Sequence, residues 1–328
     1  MKKIYFILGS LLFFIPIFYL GIGLYISYSI LKIDPTCGLH EGSKPNTWST
    51  KKDYHEYSIL EKRDLREKFN STDYHLDKWQ NVYFPSRDNE VKINGWLFNY
   101  YLNRPIVIVV HGIFPNGKCK PESNLIASLL IKNNINALTI DLRNYGASDK
   151  VSNYENLGLN EYKDVLGAFD FLKEIGFNSN QIGLHGISLG ASTVIFAAAN
   201  ENEIKAIWSD SSLGEFNMIL NDEIARYGMP NLFGPVVSFF GKVLTGVNPS
   251  NLSPAKKLLR DKSYFFTHGK KDKRIPVHHF EYIQKIAKKE NIDSKFWLVE
   301  DAYHVDAMFK YPNEYGNKMK NFFENNLK

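Results

Sequence analysis

Hydrophobic and polar positions fall into three successive textures along the chain. From Ile4 to Leu31 no residue is charged, and Lys2 and Lys3 precede the run. As a helix it would extend about 42 Å, against about 30 Å of hydrocarbon in a bilayer. Its end, Tyr25-Ile26-Ser27-Tyr28-Ser29-Ile30-Leu31, lacks the small-residue spacing of a cleavage site, and the run exceeds the roughly 7 to 15 apolar residues of a signal peptide. Residues 1–33 therefore read as an uncleaved transmembrane anchor. Lys2, Lys3 and the free amine, set against Lys32 and Lys44, favour a cytoplasmic amino terminus and a folded domain outside.

Residues 34–78 show no sustained strand pattern and read as a juxtamembrane linker or arm. Within it Asp53 to Phe69 is a candidate polar helix, with Tyr57, Leu60, Leu65 and Phe69 partly on one side. The third texture, residues 79–328, alternates short apolar runs with helical stretches, the pattern of a mostly parallel sheet with helices on both faces. Strands are predicted at 81–85, 92–100, 105–110, 136–140, 180–185, 204–209, 263–268 and 295–299, and helices at 122–133, 160–175, 188–199, 277–289 and 313–327. Only Leu213 to Leu259 breaks the alternation. This insertion contains Leu232-Phe233-Gly234-Pro235-Val236-Val237-Ser238-Phe239-Phe240 and is a cap candidate. A chain starting near Lys78 is expected to be soluble and active.

Composition narrows the function classes. The 328 residues are 44% hydrophobic and 14% aromatic, enough for a sizeable core and against disorder. Lys2 and Lys3 account for two of the five net positive charges, so the remainder lacks the basic concentration of a nucleic-acid binder. Two cysteines cannot build a disulfide scaffold or a four-thiolate zinc site. Cys37 and Cys119 leave two readings open, a pair in an oxidising compartment or two buried thiols.

The chemistry-bearing motif is Gly186-Ile187-Ser188-Leu189-Gly190, between an apolar strand and a helical run. A strand turning sharply into a helix puts the serine at a strained apex, and the flanking glycines leave room for the turn. A serine hydroxyl needs a base held by a third group. Asp272 follows the strand ending His268-Gly269, and His304 follows the strand Phe296-Trp297-Leu298-Val299. Ser188, Asp272 and His304 thus fall in the chain order nucleophile, acid, histidine, each past the carboxyl end of a strand. Asp210, after another strand, is an alternative acid. Asp141 and Arg143 read as a structural pair bracing a turn, and His111 and His185 as hydrogen-bonded core residues. His278 and His279 point about 100° apart on a helix, a poor metal pair without a third ligand, so no metal is expected.

With these residues in hand the chain resembles the α/β-hydrolase superfamily, and within it the membrane-anchored serine hydrolases of the Bem46-like and acylaminoacyl-peptidase-like kind. The resemblance covers roughly Tyr83 to Phe323 and is carried by Pro85-Ser86-Arg87-Asp88, Gly95-Trp96-Leu97, His111-Gly112, Asp141-Leu142-Arg143-Asn144-Tyr145-Gly146-Ala147-Ser148, the serine motif, His268-Gly269-x-x-Asp272 and His304. It implies an oxyanion hole of backbone amides, one from Leu189 and the second from the residue after His-Gly, Ile113. The loop Ile113-Phe114-Pro115 departs from the small or polar residues common there, which leaves Ile113 and Phe114 both open as donors.

The expected function is a single-pass serine hydrolase that cleaves an ester, thioester or amide through an acyl-enzyme, with no cofactor. Its expected partners are a small-molecule or lipid-like acyl substrate and the bilayer through residues 4–31, not nucleic acid. A serine at the apex argues against dehalogenases, and residues 34–78 are too few for the propeller of the oligopeptidases. A catalytically silent scaffold of the same fold, or a protein deacylase or peptidase, are the competing readings. The apolar cap run is expected to line an acyl site over the carboxyl edge of the sheet, with Phe114, Phe233, Phe239 and Phe240 against the substrate.

Overall fold

The computed structural model describes residues 2–33, 43–50, 66, 68–113 and 117–328. In chain order the elements are helix α1 (Lys2–Leu31), strands β1 (Gln80–Pro85), β2 (Lys92–Phe98) and β3 (Ile106–Val110), helix α2 (Pro121–Lys132), β4 (Asn136–Asp141), α3 (Tyr162–Glu174), β5 (Ile182–Ile187), α4 (Leu189–Ala199), β6 (Ala206–Asp210), α5 (Phe216–Arg226), α6 (Gly234–Thr245), β7 (Ser263–Gly269), α7 (His278–Lys289), β8 (Asp293–Val299), the one-turn α8 (Ala307–Lys310) and α9 (Pro312–Asn326). All eight predicted strands are present, within a few residues at their ends.

They form one sheet in the order β1-β2-β4-β3-β5-β6-β7-β8. β1 and β2 are antiparallel, β2 is antiparallel to β4, and every pairing from β4 to β8 is parallel. The period of two explains why β3 is apolar at every position. Ile106, Ile108 and Val110 enter one core with Val165, Phe169 and Val194 of α3 and α4. Val107 and Val109 enter the opposite core with Leu125 and Leu129 of α2 and with Met319 and Phe322 of α9. Each fully buried aliphatic side chain contributes about 1.5–3 kcal/mol, so both faces of this central strand must be covered.

The insertion between β6 and β7 folds as two helices, α5 and α6, and α1 packs alongside α6. Tyr19 stacks on Phe233 with ring centroids 5.1 Å apart, and its hydroxyl donates to the Leu232 carbonyl at 2.8 Å. Four residues of helix further on, in the direction both chains run, Gly23 faces Val236, and the Ser27 hydroxyl donates to the Val237 carbonyl at 2.8 Å. The end of α1 is also tied to the main domain, because Ile33 N–H donates to the Asn153 carbonyl at 3.0 Å and Glu155 N–H to the Leu31 carbonyl at 2.8 Å. One window of α1, Phe13–Leu31, is apolar and long enough to cross a membrane by length and composition.

The described part of the segment read as a linker is packed rather than merely connecting. Trp48 is 1% exposed and shares a core with Leu76 and Phe98, and Arg66 is buried. Its sequence hides this, since isolated apolar residues among polar ones carry no strand or helix period. Most of the predicted Asp53 to Phe69 helix lies outside the described residues.

Candidate active site

The carboxyl ends of β5, β7 and β8 bring the predicted residues together. Ser188 sits between β5 and α4 with φ 55° and ψ −113°, a conformation that costs a non-glycine residue about 1–3 kcal/mol. Close packing enforces it. A Cβ at Gly190 would lie 2.2 Å from the Val110 carbonyl oxygen and 2.6 Å from that of His111, so only glycine lets α4 start this close to β3. A Cβ at Gly269 would lie 2.3 Å from the Tyr303 carbonyl oxygen, which is how the loops carrying Asp272 and His304 approach each other.

The three side chains form a continuous hydrogen-bonded line. His304 Nδ1 is 2.7 Å from Asp272 Oδ2, and His304 Nε2 is 2.9 Å from Ser188 Oγ. Asp272 accepts on its other oxygen from the amides of Arg274 and Ile275, each at 2.8 Å. A carboxylate held this way accepts the Nδ1 proton, which leaves Nε2 free to accept from the serine. The geometry is competent to deprotonate a hydroxyl and to return the proton to a leaving group. Ser188, Leu189 and Ile113 all face the same cavity. Phe114 lies outside the described residues.

Asp210 belongs to a different network. Its carboxylate accepts from Tyr315 Oη at 2.8 Å and from Ser211 Oγ at 2.8 Å, and burial raises its pKa to about 7. Tyr315 in turn accepts from Trp208 Nε1 at 3.0 Å and bonds His185 Nε2 at 3.0 Å. Burial lowers the His185 pKa to about 3. His111, likewise held near 4 by burial, donates from Nδ1 to the Gly112 carbonyl at 2.8 Å and accepts at Nε2 from Leu142 N–H at 3.1 Å. Both are hydrogen-bonded core histidines, as expected.

The expected Asp141–Arg143 pair is not formed. Asp141 accepts from the amide and ammonium groups of Lys118 and from Ala147 N–H, while Arg143 bonds Asp164 at 2.7 Å and Asp88 at 3.3 Å. The strand ends at Asp141, so Arg143 already lies in the turn beyond it, where the alternation of the strand no longer sets its direction, and each brace reaches a different loop.

His278 and His279 do have a third potential ligand, Asp222 on α5. Its Oδ2 is 3.0 Å from His278 Nε2 and 2.9 Å from His279 Nε2. His279 Nδ1 accepts from Gly214 N–H at 2.9 Å, however, which places the ring proton on Nε2, the atom a metal would need. The donor set therefore fits a hydrogen-bonded tie between α5 and α7 better than a metal ion.

Two features were missed in the sequence. The first is Arg66. Its guanidinium donates to Asp306 at 2.6 Å, to Glu122 at 2.7 Å, and to the carbonyls of His304 and Val305 at 3.2 and 3.3 Å. An arginine in a polar stretch carries no such signal. The second is the loop 112–120. Lys120 donates to the Ile113 carbonyl at 2.7 Å and Lys118 pairs with Asp141; Cys119 there is disulfide-bonded, one of the two readings the sequence leaves open. Cys37, the chain's other cysteine, lies outside the described residues.

The cavity measures about 820 Å³, its open mouth included, and extends from Ser188 and Ile113 between α5 and α6. Its walls are Leu213, Phe216, Ile219, Leu220, Val237 and Leu252, with Ser27, Ile30 and Leu31 of α1 and, at another point, Glu223 and Arg274. Phe233, Phe239 and Phe240 are not among the residues lining it. Helical spacing turns Phe233 onto Tyr19 and Phe239 outward, where it is 57% exposed.

The prolyl oligopeptidase family matches the chain over residues 126–328, the part that carries Ser188, Asp272 and His304. The chain is 25% identical over 266 residues to the protein YfhR of Salmonella typhi, covering 76% of this chain and 82% of that one. In fold it is similar to the esterase Pf2001 of Pyrococcus furiosus, with a TM-score of 0.64 and 21% identity over 80% of this chain and 96% of that one. It is also similar to the acylaminoacyl peptidase of Pyrococcus horikoshii, with a TM-score of 0.59 and 17% identity over 76% of this chain but 42% of that one. The chain belongs to the prolyl oligopeptidase family and is a serine hydrolase built on the α/β-hydrolase fold.

Proposed function

We propose that the protein is a membrane-anchored serine hydrolase that cleaves an acyl ester or thioester, or a related amide, with Ser188, His304 and Asp272 as its triad. The observation that carries this reading is the line of hydrogen bonds from Asp272 through His304 to Ser188, ending in a largely apolar cavity. Ser188 Oγ bonds to the acyl carbon while its proton passes to His304 Nε2. The carbonyl oxygen becomes an oxyanion, and the amides of Leu189 and Ile113 are the donors proposed to receive it, each worth about 3–4 kcal/mol. Collapse breaks the bond to the leaving group, which takes the proton from Nε2, and leaves an ester on Ser188. Water then attacks that ester, giving its proton to His304, and the acid and free Ser188 are released.

In this reading residues 1–33 anchor the chain, 34–78 form an arm and 79–328 the catalytic domain. The disulfide at Cys119 supports an extracytoplasmic site, because disulfides persist in oxidising compartments. The test is labelling of the full-length protein by a fluorophosphonate, with turnover of p-nitrophenyl esters. Labelling that is absent, or that survives Ser188→Ala, overturns the proposal.

A further inference from the structure

Resting on that reading, the inference concerns what fills the cavity and from where. The cavity wall farthest in sequence from Ser188 is the last turn of α1, through Ser27, Ile30 and Leu31. A helix that only tethered the domain would have no part in its substrate site. Here α1 is bonded to the cap at Tyr19 and Ser27 and to the main domain at Leu31 and Ile33, so its last turns are fixed relative to Ser188.

The outside of the same assembly is apolar. On the cap, Leu232, Phe239 and Val243 are 61%, 57% and 60% exposed, and beside them α1 exposes Phe18, Leu24 and Tyr25. Large apolar side chains this exposed mark a surface that meets something other than water. Its occupant follows from continuity. α6 runs parallel to α1 from Tyr19 to the end of the helix, so whatever surrounds that part of α1 also surrounds α6. α1 has the length and composition to cross a bilayer. With α1 in the bilayer, as proposed above, one face of the α1–α6 pair meets lipid, while the other lines the cavity that begins at Ser188.

We propose that α1 is a specificity-determining element, and that the substrate is the acyl ester of a bilayer-resident amphiphile whose chain enters from the leaflet and lies against Ile30 and Leu31. Chain length is then measured by the anchor itself. The polar end of the molecule stays at Ser188; Glu223 and Arg274, paired at 3.3 Å, are the charged residues of the wall.

The test uses the full-length protein reconstituted in phosphatidylcholine vesicles, with p-nitrophenyl esters from acetate to palmitate. Each methylene in apolar contact is worth about 0.8 kcal/mol, a factor of about 4. Ile30→Trp, which displaces about two methylenes, is expected to lower the decanoate-to-acetate ratio of kcat/KM about 15-fold. Ile30→Ala is expected to shift the preferred chain longer by one or two carbons. Phe18→Ala, on the lipid side, leaves the profile unchanged. Opposite shifts cannot come from misfolding. If both Ile30 variants keep the wild-type profile while Ser188 still labels with fluorophosphonate, the inference fails and the hydrolase reading stands; if the wild type neither labels nor turns over acetate, that reading fails. The route is tested with 4-methylumbelliferyl palmitate, expected to be hydrolysed in the protein's own vesicles and spared in separate ones. Equal turnover in both overturns the route through the leaflet.

Discussion

The Arg66 site supports a prediction that separates positioning from stability. Its guanidinium lies between two buried carboxylates, Glu122 and Asp306, and packs over the Phe309 ring at 4.4 Å. It also holds the carbonyls of His304 and Val305, so it fixes the backbone from which the imidazole of the proposed base projects. Val305 has φ 49°, a strained conformation for a β-branched residue, and a strained loop persists only where its surroundings over-determine it. Removing one partner of a buried ion pair costs about 3–5 kcal/mol, because the other charge is left without compensation. Displacing a catalytic group by about 1 Å costs about 100-fold in rate. Arg66→Met should therefore lower thermal stability by the first amount and kcat by roughly the second, with KM changed far less. The triple variant Arg66→Met, Glu122→Gln, Asp306→Asn also removes the two charges that Arg66 pairs with. It should recover much of the stability but not kcat, since the guanidinium that bonds the two carbonyls is gone. The assays are thermal unfolding in detergent and ester hydrolysis on the same preparations. A triple variant that regains kcat along with stability would show that Arg66 acts only through folding, and a fully active Arg66→Met would refute the positioning argument altogether.

Three further outcomes are expected. Ser188→Ala and His304→Ala should each lower hydrolysis at least about 10⁴-fold. Asp272→Asn should approach that loss, because the amides of Arg274 and Ile275 keep the asparagine carbonyl and turn its NH₂ toward Nδ1, enforcing the wrong tautomer; Asp210→Asn should stay within a few-fold of wild type, and the reverse pattern would reassign the acid. His185 is neutral in the fold with a pKa near 3 against about 6.5 when unfolded. Its contribution is complete above pH 6.5 and is lost as pH falls toward 3, at up to about 1.4 kcal/mol per unit, so the stability-versus-pH slope of His185→Phe between pH 6.5 and 5 should be shallower by about one proton. A chain beginning at Lys78 lacks Trp48 and Arg66 and leaves Glu122 and Asp306 buried without their cation, so it should aggregate on expression; recovery of soluble, active protein would show that the arm is dispensable.

Much of the fold was legible because its signals are local. The eight strands announce themselves as short apolar runs between turns, and Gly186 and Gly190 mark a turn whose geometry excludes side chains. The juxtaposition of Ser188, Asp272 and His304, the proposed triad, was legible for a related reason: each follows a strand end, and parallel strands deliver their carboxyl ends to one edge. What could not be read depends on tertiary partners. Nothing around Arg66 predicts that Asp306 and Glu122 would converge on it from positions hundreds and tens of residues away. The cap illustrates the same limit from the other side. Its apolar run was recognised, but the helical phase that turns Phe233 onto Tyr19 and Phe239 outward depends on where α1 lies. The cavity wall therefore falls to Val237, Leu220 and Ile30 instead.

These misreadings share a cause, and it bears on how the site works. Helix α1 and the segment before β1, which look like attachments in sequence, both reach the surroundings of Ser188 and His304. Arg66 braces the loop behind His304, and the last turn of α1 closes the cavity in front of Ser188. Cys119 and Lys120 secure the loop that presents the Ile113 amide. The surroundings of the proposed nucleophile, base and oxyanion donor are thus each built in part by segments that lie outside the sheet and its covering helices. The serine itself, strained at φ 55°, is held by the packing of Gly190 against β3, so those supports act on its surroundings. In the proposed function, detaching the domain from its anchor alters the site's shape as well as its location, so the substrate preference of the intact protein is a property of the membrane-inserted form.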